Sequence, residues 1–241
     1  MLEYWYRDMV RFMKDASEYG TYNQELVNRM APYLTKDTHI CDAGCGLGYL
    51  SLALAPHVGR VTSVEVNPDA VAVLEENCRE RGIHNVTARC GPLADTAPEE
   101  KYDAMVFCFF GHIREILDAA RKQCSGTIFI ATRNYNTHRF SVGKHKTGSY
   151  GYENTREVLI QKGVPYKEEI MSLEFGQPFR NMEDVRTFFE AYSQDEDKSA
   201  ITDEFLRSKV VPNDHPEFPW YMPHQRNLAL LRFDVQDIPE D

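Results

Sequence analysis

The chain has 241 residues, 42% of them hydrophobic and 27% charged, the balance of a globular protein with enough material for one α/β domain and an insertion. Its 27 Lys and Arg against 37 Asp and Glu give a net charge of -10, a field that repels phosphate backbones on average, so nucleic acid is disfavoured as a partner unless a local basic patch overrides it. No window approaches 18 uncharged apolar residues and the first 20 residues lack the apolar core and cleavage site of a leader, so no membrane span or secretory signal is expected.

In chain order, Leu2, Trp5, Met9, Phe12 and Met13 fall at helical spacing, and Thr21 with Gln24 forms a T-x-x-Q capping pattern opening a second helix. Leu26, Val27, Met30 and Leu34 are its apolar stripe. From residue 39 onward, strand patterns at 38–42, 60–66, 85–90, 102–110 and 126–132 alternate with helix patterns at 48–56, 68–81 and 112–123. The helix at 68–81 is well punctuated, with Asn67 as N-cap, Pro68 in the first turn and Gly82 as its stop. Such alternation predicts a parallel sheet covered by helices on both faces.

After residue 132 the pattern changes. The stretch 133–146 gathers Arg133, His138, Arg139, Lys144, His145 and Lys146, which reads either as a site for an anionic substrate or as a solvated loop. The two histidines have no third ligand at metal spacing, so no metal is expected. A helix near 154–162, a strand at 166–175 and a closing strand at 227–235 follow. Residues 176–226 are too long for a hairpin loop and are read as an inserted segment, with a helical pattern at 182–192 and the aromatic run "HPEFPWYMPH". Phe218, Trp220 and Tyr221 in that run suit either a lid over substrate or packing against the N-terminal helix with Trp5. The division expected is an N-terminal helical cap at 1–36 and a main domain at 37–241, with 176–226 as a substrate lid. The six cysteines, Cys41, Cys45, Cys78, Cys90, Cys108 and Cys124, form no C-x-x-C pair and read as reduced packing residues of a cytoplasmic protein.

The segment carrying most chemistry is "DAGCGLGYL", Asp42 to Leu50. A strand ending at Asp42 and a helix starting near Gly48 put the glycines at the carboxyl edge of the first strand, where open α/β sheets bind ligands. Glycines there permit unusual dihedrals and close approach, and the next helix offers unpaired N–H groups. A dinucleotide loop needs G-x-G-x-x-G, but Tyr49 stands where its third glycine belongs, and no G-K-[ST] is present. Glu65 ends the next strand, 23 residues after Asp42, where a carboxylate accepts hydrogen bonds from both hydroxyls of a ribose.

With "DAGCGLG" and the acidic strand end "VEVNP", the chain resembles the class I S-adenosylmethionine-dependent methyltransferases. The resemblance implies an α/β fold, a Rossmann-like doubly wound seven-stranded mostly parallel sheet with an antiparallel last strand, here with N-terminal helices and an insertion before that strand. It implies S-adenosyl-L-methionine as cofactor, with Gly44, Cys45, Gly46 and Gly48 around the methionine moiety, Asp42 supporting the loop, Glu65 on the ribose and Val66 on the adenine. The family's aspartate after the third strand is missing, because Pro92 stands near that place. The adenine contact is assigned to the backbone of Leu93, with Asp95 as the alternative. Tyr22, or Tyr19, is a candidate for the methionine carboxylate, and Cys108 lies at the end of the fourth strand, facing the methyl. That end reads "CFFGH" rather than the Asn/Asp-Pro-Pro-aromatic of DNA amino-methylating enzymes. His112 is the candidate general base, with helix capping as its other reading. The resemblance implies transfer of a methyl group to O or N of a small molecule. The alternatives are an RNA or protein acceptor, or a nucleotide-binding protein without catalysis.

Overall fold

A computed structural model describes residues 7–148 and 150–240; Leu2 and Trp5, assigned above to the first helix, lie outside them. Along the chain run α1 (Arg7–Tyr19), α2 (Tyr22–Met30), β1 (His39–Ala43), α3 (Tyr49–Leu54), β2 (Arg60–Glu65), α4 (Pro68–Glu80), β3 (Val86–Cys90), β4 (Tyr102–Cys108), α5 (Ile113–Gln123), β5 (Cys124–Arg133), α6 (Tyr152–Lys162) and β6 (Lys167–Glu174). Then come β7 (Gln177–Phe179), α7 (Met182–Tyr192), α8 (Asp203–Lys209), β8 (Val211–Pro212), β9 (Trp220–Met222) and β10 (Gln225–Asp234). These gather into two compact units. One holds Asn23–Asn134, Ser149–Met171 and Asn227–Asp241; the other holds the N-terminal helix up to Tyr22, Tyr135–Gly148 and Ser172–Arg226.

The main sheet has seven strands in the order β3-β2-β1-β4-β5-β10-β6. β1 pairs in parallel with β2 and β4, β4 in parallel with β5, and β10 runs antiparallel to β5, as the sequence pattern predicts. The central strands are apolar without alternation because both faces are covered. Ile40, Cys41, Ala43, Met105, Val106, Phe107, Ile128, Phe129, Ile130 and Ala131 are all at most 2% exposed. Strand order reverses between β1 and β4, so the loop after β1 opens into the crevice where such sheets bind ligands. The punctuation of α4 is as read: Asn67 Oδ1 accepts the N–H groups of Asp69 and Ala70, and Gly82 turns left-handed with φ 61° just past the helix.

Two differences from the sequence reading have physical causes. The fourth strand ends at Cys108 rather than 110, because Phe109 adopts φ 53° while its N–H donates to Ala131 O at 2.8 Å. The second unit contains an antiparallel sheet, β7-β9-β8, whose strands of two or three residues are too short to show a period of two. Its core packs Phe12 of α1 with Phe179, Phe188, Phe189, Leu206 and Met222. Arg11 grips the Asp184 carboxylate with two N–H groups at 2.8 and 3.0 Å, and Arg180 pairs with both Asp15 and Glu217. Among the described residues no helix is long and apolar enough to cross a membrane.

Candidate functional site

Gly44, Gly46 and Gly48 have φ of 71°, 55° and 79°, so all three carry the left-handed backbone that L side chains rarely adopt. The loop closes on β2: the N–H groups of Gly44 and Cys45 both donate to Val64 O, at 2.8 and 3.0 Å. At Gly44 a Cβ would sit 2.2 Å from the Phe110 ring, and at Gly48 2.3 Å from Leu74. Glu65 lies at the end of β2 beside the loop. Its Oε2 accepts the Gly46 N–H at 3.0 Å, while Oε1 accepts the N–H groups of Val66 and Asn67 at 2.9 and 3.0 Å.

Asp42 is 1% exposed at the end of β1, and the Ser51 hydroxyl of α3 donates to its Oδ2 at 2.6 Å. Ser63 of β2 in turn donates to Ser51 at 2.7 Å, a chain that ties β1, β2 and α3 under the loop. Burial raises the Asp42 carboxyl to about 6, against the opposing Ser51 hydrogen bond and aided by the Glu65 charge. The Cys45 thiol is pushed up as well, by burial and then by the Asp42 and Glu65 charges, so it is a neutral lining group rather than a nucleophile.

The structure therefore brings Asp42, the three glycines and Glu65 together, and it places the remaining candidates around them. Val66 is exposed just past β2. Gly91, leaving β3, donates its N–H to Glu65 O at 2.9 Å, which holds the following turn to the same edge. Leu93 opens that turn, and its carbonyl accepts Gln123 Nε2 at 2.8 Å and the Thr96 hydroxyl at 3.1 Å. Cys108 ends β4 opposite Ala131. His112 is the N-cap residue of α5, with the Glu115 carboxylate accepting its backbone N–H at 3.2 Å. It also lines a cavity of about 240 Å³ beyond the ends of β4 and β5, together with Phe110, Thr132, Arg133, Tyr150 and Asn154. The Phe110 ring thus stands against Gly44 on one side and in the cavity wall on the other.

Sequence reasoning missed Phe110, Ser51 and Ser63, whose roles depend on three elements meeting. It also missed the left-handed Phe109, since nothing in "CFFGH" signals a positive φ. Tyr22 and Tyr19 belong to the other unit. There the Tyr22 ring packs 4.7 Å from Phe175, and the Tyr19 hydroxyl donates to Asn213 at 3.1 Å. Phe218 and Tyr221 also pack on Tyr19, at 6.0 and 5.2 Å. In the basic stretch, His145 Nε2 meets Asp195 Oδ1 at 2.7 Å, and that carboxylate also accepts the N–H groups of Val142 and Gly143. Among the described residues no group of three His, Cys, Asp or Glu side chains is placed to hold a metal ion.

Residues 40–127 match the family model described as a methyltransferase domain. A 23S rRNA (uracil(1939)-C(5))-methyltransferase of Chromohalobacter salexigens is 35% identical over 79 residues, 32% of this chain and 17% of that protein. A ribosomal protein L11 methyltransferase of Alkaliphilus oremlandii is 31% identical over 116 residues, 46% of this chain and 37% of that protein. Among solved structures, the YcgJ protein of Bacillus subtilis superimposes with a TM-score of 0.59 at 14% identity, covering 89% of this chain and 98% of that one. The chain carries a Rossmann-like methyltransferase domain of the class whose cofactor is S-adenosyl-L-methionine. The alignment takes in about a sixth of the length of the rRNA methyltransferase.

These relatives correct one expectation. Net charge disfavoured nucleic acid and left a small molecule as the acceptor, yet the relatives are named as RNA and ribosomal protein methyltransferases. A sum of -10 averages over the whole surface, whereas 133–146 holds four Lys or Arg and no Asp or Glu.

Proposed function

We propose that the protein is an S-adenosyl-L-methionine-dependent methyltransferase acting on RNA. The observation that carries the reading is the loop of three left-handed glycines tied to Glu65 through Gly46. The residues fit the cofactor: side chains are excluded from the loop, a carboxylate stands at the next strand end, and no phosphate-gripping lysine is present. When bound, the cofactor supplies a methyl group on a sulfonium, so the protein needs no nucleophile of its own.

The work of the chain is placement. Glu65 holds the ribose hydroxyls, the glycine loop and the start of α3 present backbone N–H groups, and Asp42 with Ser51 and Ser63 keeps the loop in shape. Leu93 and Val66 cover the adenine, Cys108 lies near the methyl, and Tyr22 is assigned to the methionine carboxylate. His112 is the group in the cavity wall able to take a proton from an attacking amine or hydroxyl. RNA is favoured by the relatives and by the uninterrupted basic stretch at 133–146. A ribosomal protein is the second reading, since a net charge of -10 attracts a basic polypeptide and two relatives modify ribosomal protein L11. All six cysteines are free thiols, which supports a cytoplasmic location.

The experiment is transfer of labelled methyl from S-adenosylmethionine to RNA or to ribosomal protein, each drawn from cells lacking the gene. Label in the RNA fraction supports the main reading and label in protein the second. No label in either, from a chain that binds the cofactor, refutes both.

A further inference from the structure

In the unit that holds α1, α7, α8 and the small sheet, two arginines share one environment. Arg139 comes from the basic stretch after β5 and Arg226 from the first residues of β10. Aromatic rings flank both. The Arg139 guanidinium carbon stands 4.6 Å from the Phe140 ring centre, and that of Arg226 stands 4.3 Å from Phe175 and 5.3 Å from Tyr22. Burial, and then the charge of Arg226, push Arg139 down to about 9, so the two cations lie close enough to repel. The carboxylate nearby is Glu174, and other donors occupy it. Its Oε1 accepts the Tyr221 hydroxyl at 2.5 Å and the His224 N–H at 3.0 Å, and its Oε2 accepts Gln225 Nε2 at 2.8 Å. Arg139 Nη1 is closed off from solvent and has no hydrogen-bond partner among the described residues.

A buried guanidinium N–H without an acceptor, beside a second cation, is costly unless an anion completes it. We propose that Arg139 and Arg226 form an oxyanion-binding site for the carboxylate or phosphoryl group of a ligand. The planar guanidinium fork matches two oxygens of such a group, and the rings of Phe140, Phe175 and Tyr22 form an apolar surround that strengthens the contact. Tyr192 is a neutral neighbour, because burial raises its phenol to about 12, so it brings no competing negative charge. The site stands on residues outside the glycine loop and does not depend on methyl transfer.

The test is the melting temperature of the full chain titrated with inorganic phosphate and, separately, with acetate, at constant ionic strength made up with chloride. The expected result is a saturable rise with phosphate or acetate; preference for one assigns a phosphoryl or a carboxylate ligand. In R139Q the apparent affinity falls at least tenfold, and in anion-free buffer this variant melts at or above the wild type, because a cation without an acceptor is gone. R139K, which keeps the charge but loses the fork, retains weakened binding. Three results overturn the proposal: no anion-dependent rise in the wild type, an unchanged titration in R139Q, or R139Q melting well below the wild type without anion. The last is the signature of an arginine already paired within the protein.

Discussion

The backbone N–H of Gly46 donates to Glu65 Oε2 at 3.0 Å, so the loop after β1 and the end of β2 form one hydrogen-bonded piece across 19 positions of sequence. The other oxygen of Glu65 accepts Val66 and Asn67, leaving about one of the four acceptor sites of a carboxylate. A ribose held by Glu65 has two hydroxyls to place. It must therefore share or displace the Gly46 bond, which couples loop position to ligand.

Gly44 and Gly82 both have positive φ, but only Gly44 also faces a side chain where a Cβ would stand. Gly82→Ala meets open space and is expected to cost about 1 kcal/mol, the price of the backbone alone. Gly44→Ala must in addition move the Phe110 ring, so it should cost at least ~2 kcal/mol and weaken cofactor binding. Urea denaturation of the two variants checks this; equal losses would mean that Phe110 does not hold the loop.

Asp42 gives a pH signature. Burial raises its carboxyl from the ordinary 3.8 to about 6, so the folded protein holds this proton more tightly than the unfolded chain does. Stability then falls as pH rises across that interval, because ionising the buried group costs free energy. Asp42→Asn keeps an oxygen to accept the Ser51 hydroxyl and carries no charge. Relative to the wild type it should gain on the order of 2–3 kcal/mol between pH 4 and pH 7. A stability difference that stays flat with pH would contradict the buried, charge-averse setting.

His112 separates two roles. Asn is a strong N-cap, so His112→Asn should leave the melting temperature nearly unchanged, within about 0.5 kcal/mol of stability. Loss of a general base lowers turnover by about 100-fold without changing the affinity for S-adenosylmethionine. Turnover equal to that of the wild type would confine His112 to capping α5.

Legibility followed the range of the forces involved. The glycine loop, Glu65 and the caps of α4 were readable because each is a local demand on a few consecutive residues. The seven-stranded sheet was readable because its central strands are long and apolar. The small sheet β7-β9-β8 was not, since two or three residues carry no periodicity, and Trp220 and Tyr221 read as a loop motif rather than as strand residues. The Asp42–Ser51–Ser63 chain and the Phe110 ring under Gly44 arise only when separate elements meet, so no spacing in sequence announces them. The acceptor was misread for a different reason: net charge is a sum, and recognition is local.

The most direct test of the central claim is calorimetric titration of S-adenosylmethionine into the wild type and into Glu65→Ala. The account predicts saturable one-to-one binding by the wild type, competition by S-adenosylhomocysteine but not by NAD, and at least about tenfold weaker binding by the variant, from the loss of hydrogen bonds to a charged group. No binding by the wild type, or an affinity unchanged in Glu65→Ala, would contradict it.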